Sequence, residues 1–200
     1  MYKGEAFQIL ISIVTLSIAF GLILQNIPFV RAFLGISFLS PVMLFVLAFF
    51  TVGMAFVLHE LGHKIVASAL GCIAVYKAWM WGLLLAVLMA VLTNGQFIFA
   101  APGAVHVYKQ GLTKRENGII SMAGPFVNVI LAFFFFFMMN AAGFVGVIAT
   151  VGFQLNLWLA FFNLLPIPPL DGYTVFRWNA ALWASLMLPL GLLVFVPGLI

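Results

Sequence analysis

The 200-residue chain is 66% hydrophobic and only 6% charged, against about a quarter charged residues in an ordinary soluble domain, which excludes a water-soluble globular protein. Its formal net charge of +4 rests on eight cations scattered at the ends of apolar segments instead of along one basic face, so they act as topology determinants and no nucleic-acid partner is expected. A single cysteine, Cys72, excludes an internal disulfide and a cysteine-rich metal site.

Apolar runs recur from end to end, and a helix needs roughly 20 residues to cross a hydrocarbon core of about 30 Å. The first, 7–25, follows a short head carrying Lys3; it is too long for a signal peptide and lacks a small-x-small cleavage site, so it reads as a retained span. Further spans are expected at 41–64, 119–140 and 146–165, with a fifth at 180–198 despite Pro189 and Pro197. The segment 82–93 is apolar but only 12 residues long, nearer to a re-entrant or interfacial piece. Beside it, 71–81 and 96–108 carry Val, Ile, Phe and Tyr with Pro-Gly punctuation and read as extended. The expected fold is an all-α polytopic membrane protein of about five to six transmembrane helices with a small membrane-associated β element, forming one domain over 1–200. The run Phe133–Phe137 reads as lipid-facing or packing surface, and Trp79, Trp81, Trp178 and Trp183 as interfacial anchors.

Charge decides the topology. If 82–93 does not cross, Lys3, Lys64, Lys77, Lys109, Lys114, Arg115 and Arg177 share one side, with Arg31 alone opposite; if it crosses, five cations face three. The positive-inside rule favours the first arrangement, with a cytoplasmic N-terminus and an outer C-terminus.

Residues 59–63 read His-Glu-Leu-Gly-His within a helical run. Positions four apart share one helix face, so both imidazoles can reach one metal while Glu60 stands beside a metal-bound water. With three histidines and three glutamates in the chain, chance placement gives the pattern on the order of once in a thousand such sequences, and ionisable groups inside a span are costly and normally functional. Catalytic zinc takes three protein ligands and leaves a fourth place open. Glu5 lies in the N-terminal tail and Glu116 in a charged loop after Lys114 and Arg115, which leaves Asp171 among the carboxylates. It follows Pro166, Pro168 and Pro169, which must end the preceding helix and free backbone groups there. An even number of crossings, 119–140 and 146–165, puts it on the same side as the histidine pair. His106, in the expected sheet, is the rival third ligand.

Three stretches, His-Glu-Leu-Gly-His at 59–63, Ala-Gly-Pro-Phe-Val-Asn at 123–128 and Phe-Asn-Leu-Leu-Pro-Ile-Pro-Pro-Leu-Asp-Gly at 162–172, resemble the site-2 protease family of intramembrane zinc metalloproteases. The resemblance covers about 40–178. It implies zinc held by His59, His63 and Asp171, Glu60 as catalytic base, and Asn163 as a polar group near the substrate or oxyanion. It also implies a transmembrane protein or peptide substrate that enters between helices from the lipid bilayer and binds extended, with the site nearer the cytoplasmic face. The chain departs from the family in lacking a PDZ or CBS domain and in carrying the 82–93 insertion. Gly124, Pro125 and Asn128 themselves read as a kinked, close-packed helix junction with one interhelical hydrogen bond. A metal transporter and a non-catalytic membrane scaffold are the competing functions. A transporter calls for polar groups through both halves of the bilayer, and a scaffold has no need of Glu60 beside two ligands.

Overall fold

The computed structural model describes residues 3–34, 40–98 and 102–196. Among the described residues, four helices are long and apolar enough to cross a membrane: α1 (Glu5–Leu24), the continuous run Ser40–Ala69, α6 (Lys114–Met138) and α7 (Phe144–Asn163). Between α1 and that run lies the short α2 (Pro28–Leu34). The run itself comprises α3 (Ser40–Ala48), a π-helical turn (Phe49–Gly53) and α4 (Met54–Ala69). Two shorter helices follow α7, α8 (Asp171–Trp178) and α9 (Ala180–Phe195). At 16 residues, α9 is about 24 Å long, short of the hydrocarbon thickness. The fifth span expected at 180–198 is therefore a shorter apolar helix as far as it is described, and positions 197 and 198 lie outside the described residues.

Burial on these helices follows their partners. Ala132 and Phe135 of α6, Phe153 and Ala160 of α7 and Met187 of α9 form one apolar core, while Leu24, Leu47 and Val147 join α1, α3 and α7 in a second. Phe133, Phe134 and Phe137 point outward from α6 while Phe135 turns into the core, which divides the phenylalanine run between lipid-facing surface and packing. Trp79 and Trp81 are exposed. Trp183 instead donates its indole N–H to Leu164 O at 2.7 Å, and the Trp178 ring covers Gly118, where a Cβ would come within 2.4 Å of it. Those two tryptophans tie the C-terminal helices to α6 and to the end of α7.

The expected extended segments supply a two-stranded antiparallel sheet, β1 (Ile73–Ala78) with β2 (Gly103–Tyr108), in the register Ile73↔Tyr108 to Ala78↔Gly103. Residues 99–101 of the second segment lie outside the described residues. Between the strands runs α5 (Met80–Leu92). Because Ala78 and Gly103 are paired, everything between them leaves from and returns to one place. α5 packs along α1 through Ala86, Ala90 and Ala19, and its far end is held where Asn26 Nδ2 donates to Asn94 O at 2.8 Å.

The N-terminal turn of α1 fastens the sheet. Glu5, almost wholly buried, accepts from Tyr76 N at 2.9 Å and pairs with Lys64 of α4, and Gln8 Oε1 accepts from Ala78 N at 2.9 Å. The outward N–H groups of β1 thus end on side chains. Burial pushes the Tyr76 phenol up to about 12, so it stays protonated and donates to Pro102 O at 3.2 Å.

Candidate metal centre

The His-Glu-Leu-Gly-His stretch lies in α4, and the four-residue spacing puts the two imidazoles one turn apart on one face. Their Nε2 atoms are 3.0 Å apart, and both rings are buried. This face turns towards α6, whose backbone comes close because positions 62 and 124 lack side chains: a Cβ on Gly62 would stand 2.8 Å from Val127 Cγ2, and one on Gly124 would stand 2.4 Å from His63 Nε2.

The other ring nitrogens have partners across the junction. His63 Nδ1 lies 2.7 Å from Ile120 O. Pro125 lies within α6 and brings no N–H for the preceding turn while its ring crowds that turn, beside which the Ile120 carbonyl meets the histidine. A carbonyl only accepts, so Nδ1 of neutral His63 carries the proton and Nε2 keeps its lone pair. His59 Nδ1 lies 2.6 Å from Asn128 Oδ1, with the same consequence.

Asp171 completes the convergence. The prolines after α7 end that helix, Leu164 caps it, and the chain turns to begin α8 at Asp171. Its Oδ2 stands 3.2 Å from Nε2 of His59 and 3.2 Å from Nε2 of His63. Three acceptors that close, in a buried pocket, repel one another unless a cation lies among them. Zinc bound tetrahedrally at about 2.0–2.2 Å separates its nitrogen and oxygen ligands by about 3.3 Å, so the donor set and its spacing fit zinc. The ligand atoms of His59, Glu60 and His63 also lie within 4.8 Å of one another, a group able to hold a metal ion. Glu60 Oε2 accepts from Val105 N of β2 at 2.8 Å, which holds its carboxylate between the candidate ligands and the sheet.

The structure therefore brings His59, His63 and Asp171 together with Glu60 beside them. It does not bring His106 in: that ring is on the exposed face of β2, stacked 6.5 Å from Tyr108. Asn163, at the end of α7, donates its amide to Leu159 O of its own helix at 2.9 Å. Glu116 is the N3 residue of a capping box closed by Thr113 at the start of α6 and pairs with Lys109 at 2.6 Å. Asn128 does make an interhelical bond, as the junction reading expects, but to a candidate ligand. What the sequence reading missed altogether is Asn156 of α7, whose Oδ1 accepts from Asn128 Nδ2 at 3.0 Å. Its signal was an amide inside a largely apolar span, one it shares with Gln154.

No family model matches the chain, and no solved structure matches it. Among curated proteins it is 43% identical over 152 residues to "Putative zinc metalloprotease MJ0611" of Methanocaldococcus jannaschii, an overlap of 74% of this chain and 78% of that relative. Two further proteins carry the same zinc metalloprotease name. Rip2 of Mycolicibacterium smegmatis is 35% identical over 153 residues, 68% of this chain and 58% of its own length. YwhC of Bacillus subtilis is 45% identical over 69 residues, 28% of this chain and 32% of its own length.

Proposed function

The chain belongs to the zinc metalloprotease family of the archaeal relative, and on that premise we propose that it is an intramembrane protease of the site-2 type, hydrolysing peptide bonds of membrane-embedded proteins or peptides. The observation that carries this reading is the meeting of two imidazole acceptors and one carboxylate at 3.0–3.2 Å within a bundle of helices long and apolar enough to cross lipid. His59, His63 and Asp171 would hold the zinc, which would supply a water acidic enough to ionise near pH 7 and would polarise the scissile carbonyl.

The chain's own residues do the rest. Glu60 takes the proton of the attacking water and returns it to the leaving amine. The Val105 N–H holds one of its oxygens, leaving the other for proton transfer. Asn163 spends one amide hydrogen on Leu159 O, and the second is available to a developing oxyanion. A transmembrane helix hides its peptide bonds in its own ladder and must unwind locally to be cut. Pairing along the edge of β2 that faces away from β1 compensates the released groups, at positions other than Val105, whose N–H Glu60 already holds.

The same topology is proposed for the bilayer. The pairing of Ala78 with Gly103 supports 82–93 as re-entrant, making no net crossing. With that excursion discounted, seven cations share the face nearer the site, which favours a cytoplasmic orientation of one integral domain over 1–200.

The test is Glu60→Gln in the purified chain, reconstituted with a transmembrane substrate. Stoichiometric zinc with cleavage lost supports the protease. Wild-type cleavage by the variant, or zinc transport that survives the substitution, overturns it.

A further inference from the structure

We infer that Asn156 is a positioning residue for the metal: through Asn128 it holds His59 in the one tautomer that can bind zinc. The inference rests on the reading of His59 as a ligand and adds a residue outside the three motif stretches.

A line of buried donors and acceptors crosses three helices. It starts at Gly152 O of α7, which lies 2.8 Å from Asn156 Nδ2. A backbone carbonyl can only accept, so Asn156 must turn its NH2 towards Gly152 and its Oδ1 towards α6. There Asn128 Nδ2 donates to that Oδ1 at 3.0 Å and reaches Ala55 O of α4 at the longer distance of 3.4 Å. The Asn128 amide is thereby oriented, and its Oδ1 faces His59 Nδ1 at 2.6 Å. The proton of the neutral ring is held on Nδ1, and the lone pair of Nε2 points at Asp171 and His63.

The opposite orientation shows what is at stake. Were the Asn128 amide turned over, its NH2 would meet His59 Nδ1, and the ring proton would move to Nε2, aimed into the metal position. Its Oδ1 would face the Asn156 and Ala55 oxygens, lone pair against lone pair. Both asparagines are fully buried, so no water relieves that conflict. Of the two acceptors that forbid the turnover, Asn156 is the nearer. His63 needs no such relay, because Ile120 O fixes its tautomer directly.

A merely structural interhelical bond would change stability and leave the tautomer alone, so the test reads the tautomer. The full chain in detergent, labelled with 15N-histidine, gives three imidazole spin systems, since the sequence has three histidines. Read in the metal-free protein on an Asp171→Ala background, which removes the carboxylate facing His59 Nε2 at 3.2 Å, His59 is expected wholly as the Nδ1–H form. Asn156→Ala, and the apolar near-isostere Asn156→Leu as the variant better able to keep the helix packed, should give a mixture of His59 tautomers. Zinc affinity, measured by competition with a chromogenic chelator, should fall about 10–100-fold in both. Asn156→Asp, entering the apolar site as the neutral acid, can donate to Gly152 O and accept from Asn128, and should stay within about threefold of wild type. Folded Ala and Leu variants with wild-type zinc affinity and an unmixed His59 tautomer would overturn the inference. Wild-type zinc affinity in His59→Ala would instead overturn the ligand reading on which it stands.

Discussion

Gly124 and His63 are in backbone-to-ring contact: a methyl group on the glycine would stand 2.4 Å from the imidazole Nε2, and 2.5 Å from that of His59. α6 therefore presents bare backbone to the face of the imidazole pair, and nothing larger than hydrogen fits there without moving a ring or the helix. Gly124→Ala should fold with unchanged helix content by circular dichroism and lose more than nine-tenths of its zinc by elemental analysis. Stoichiometric zinc in that variant would show that the metal sits elsewhere.

The two candidate third ligands separate on one measurement. Asp171 Oδ2 lies 3.2 Å from both Nε2 atoms, whereas His106 faces outward beside Tyr108. Metal analysis should find Asp171→Ala depleted of zinc and His106→Ala at wild-type stoichiometry. The reverse result would make His106 the ligand and demand a different arrangement of β2.

What the sequence made legible is local or forced by scarcity. Uninterrupted apolar runs announced the long helices, the four-residue spacing announced the imidazole face, and a chain with one aspartate left little choice of distant carboxylate. What stayed hidden depends on which helix faces meet. Asn156 shows as a polar residue in an apolar run, but nothing local says that its partner is Asn128 or that Asn128 reaches His59. Glu5 reads as part of a tail because its burial comes from strands and helices far along the chain. The π-helical turn at Phe49–Gly53 is silent for the same reason: Gly53 answers to the crowding of Ser17 and Ile13 on α1, not to its own neighbours. Thr113-Lys-Arg-Glu116 was the exception, a capping box visible in four residues that the charges around it disguised as a loop.

The pair formed by Glu5 and Lys64 should show the asymmetry of buried ions. Glu5 is 1% exposed, and its Oε1 takes both the lysine and the Tyr76 N–H. Removing the lysine weakens the compensation of that buried carboxylate, and breaking a buried pair costs up to about 3–5 kcal/mol. Lys64→Met should therefore lower stability by about 3 kcal/mol, read from denaturation in mixed micelles. Adding Glu5→Gln should return most of it, because the neutral amide still accepts from Tyr76. If the double variant is as unstable as the single one, the pair is not a unit.

Asp171 is placed by its neighbour. A Cβ on Gly172 would lie 2.0 Å from Leu164 O, a backbone atom that cannot swing away, and the same carbonyl is already tied at 2.7 Å to the Trp183 indole. The start of α8 thus rests directly on the end of α7, and the aspartate side chain enters the site from that contact. Gly172→Ala must push residues 171–172 off α7 and draw the carboxylate out of range, while the two imidazoles, carried by α4, remain in place. The expected result is a zinc site with two protein ligands: cobalt substituted for zinc should lose intensity in its visible absorption as the tetrahedral set opens, and chelators should strip it at least tenfold more readily. Trp183→Phe, which removes only the indole donor, should cost about 1–3 kcal/mol of stability and weaken zinc less. Equal metal binding in wild type and Gly172→Ala would mean that the carboxylate finds the imidazoles without the contact between α7 and α8.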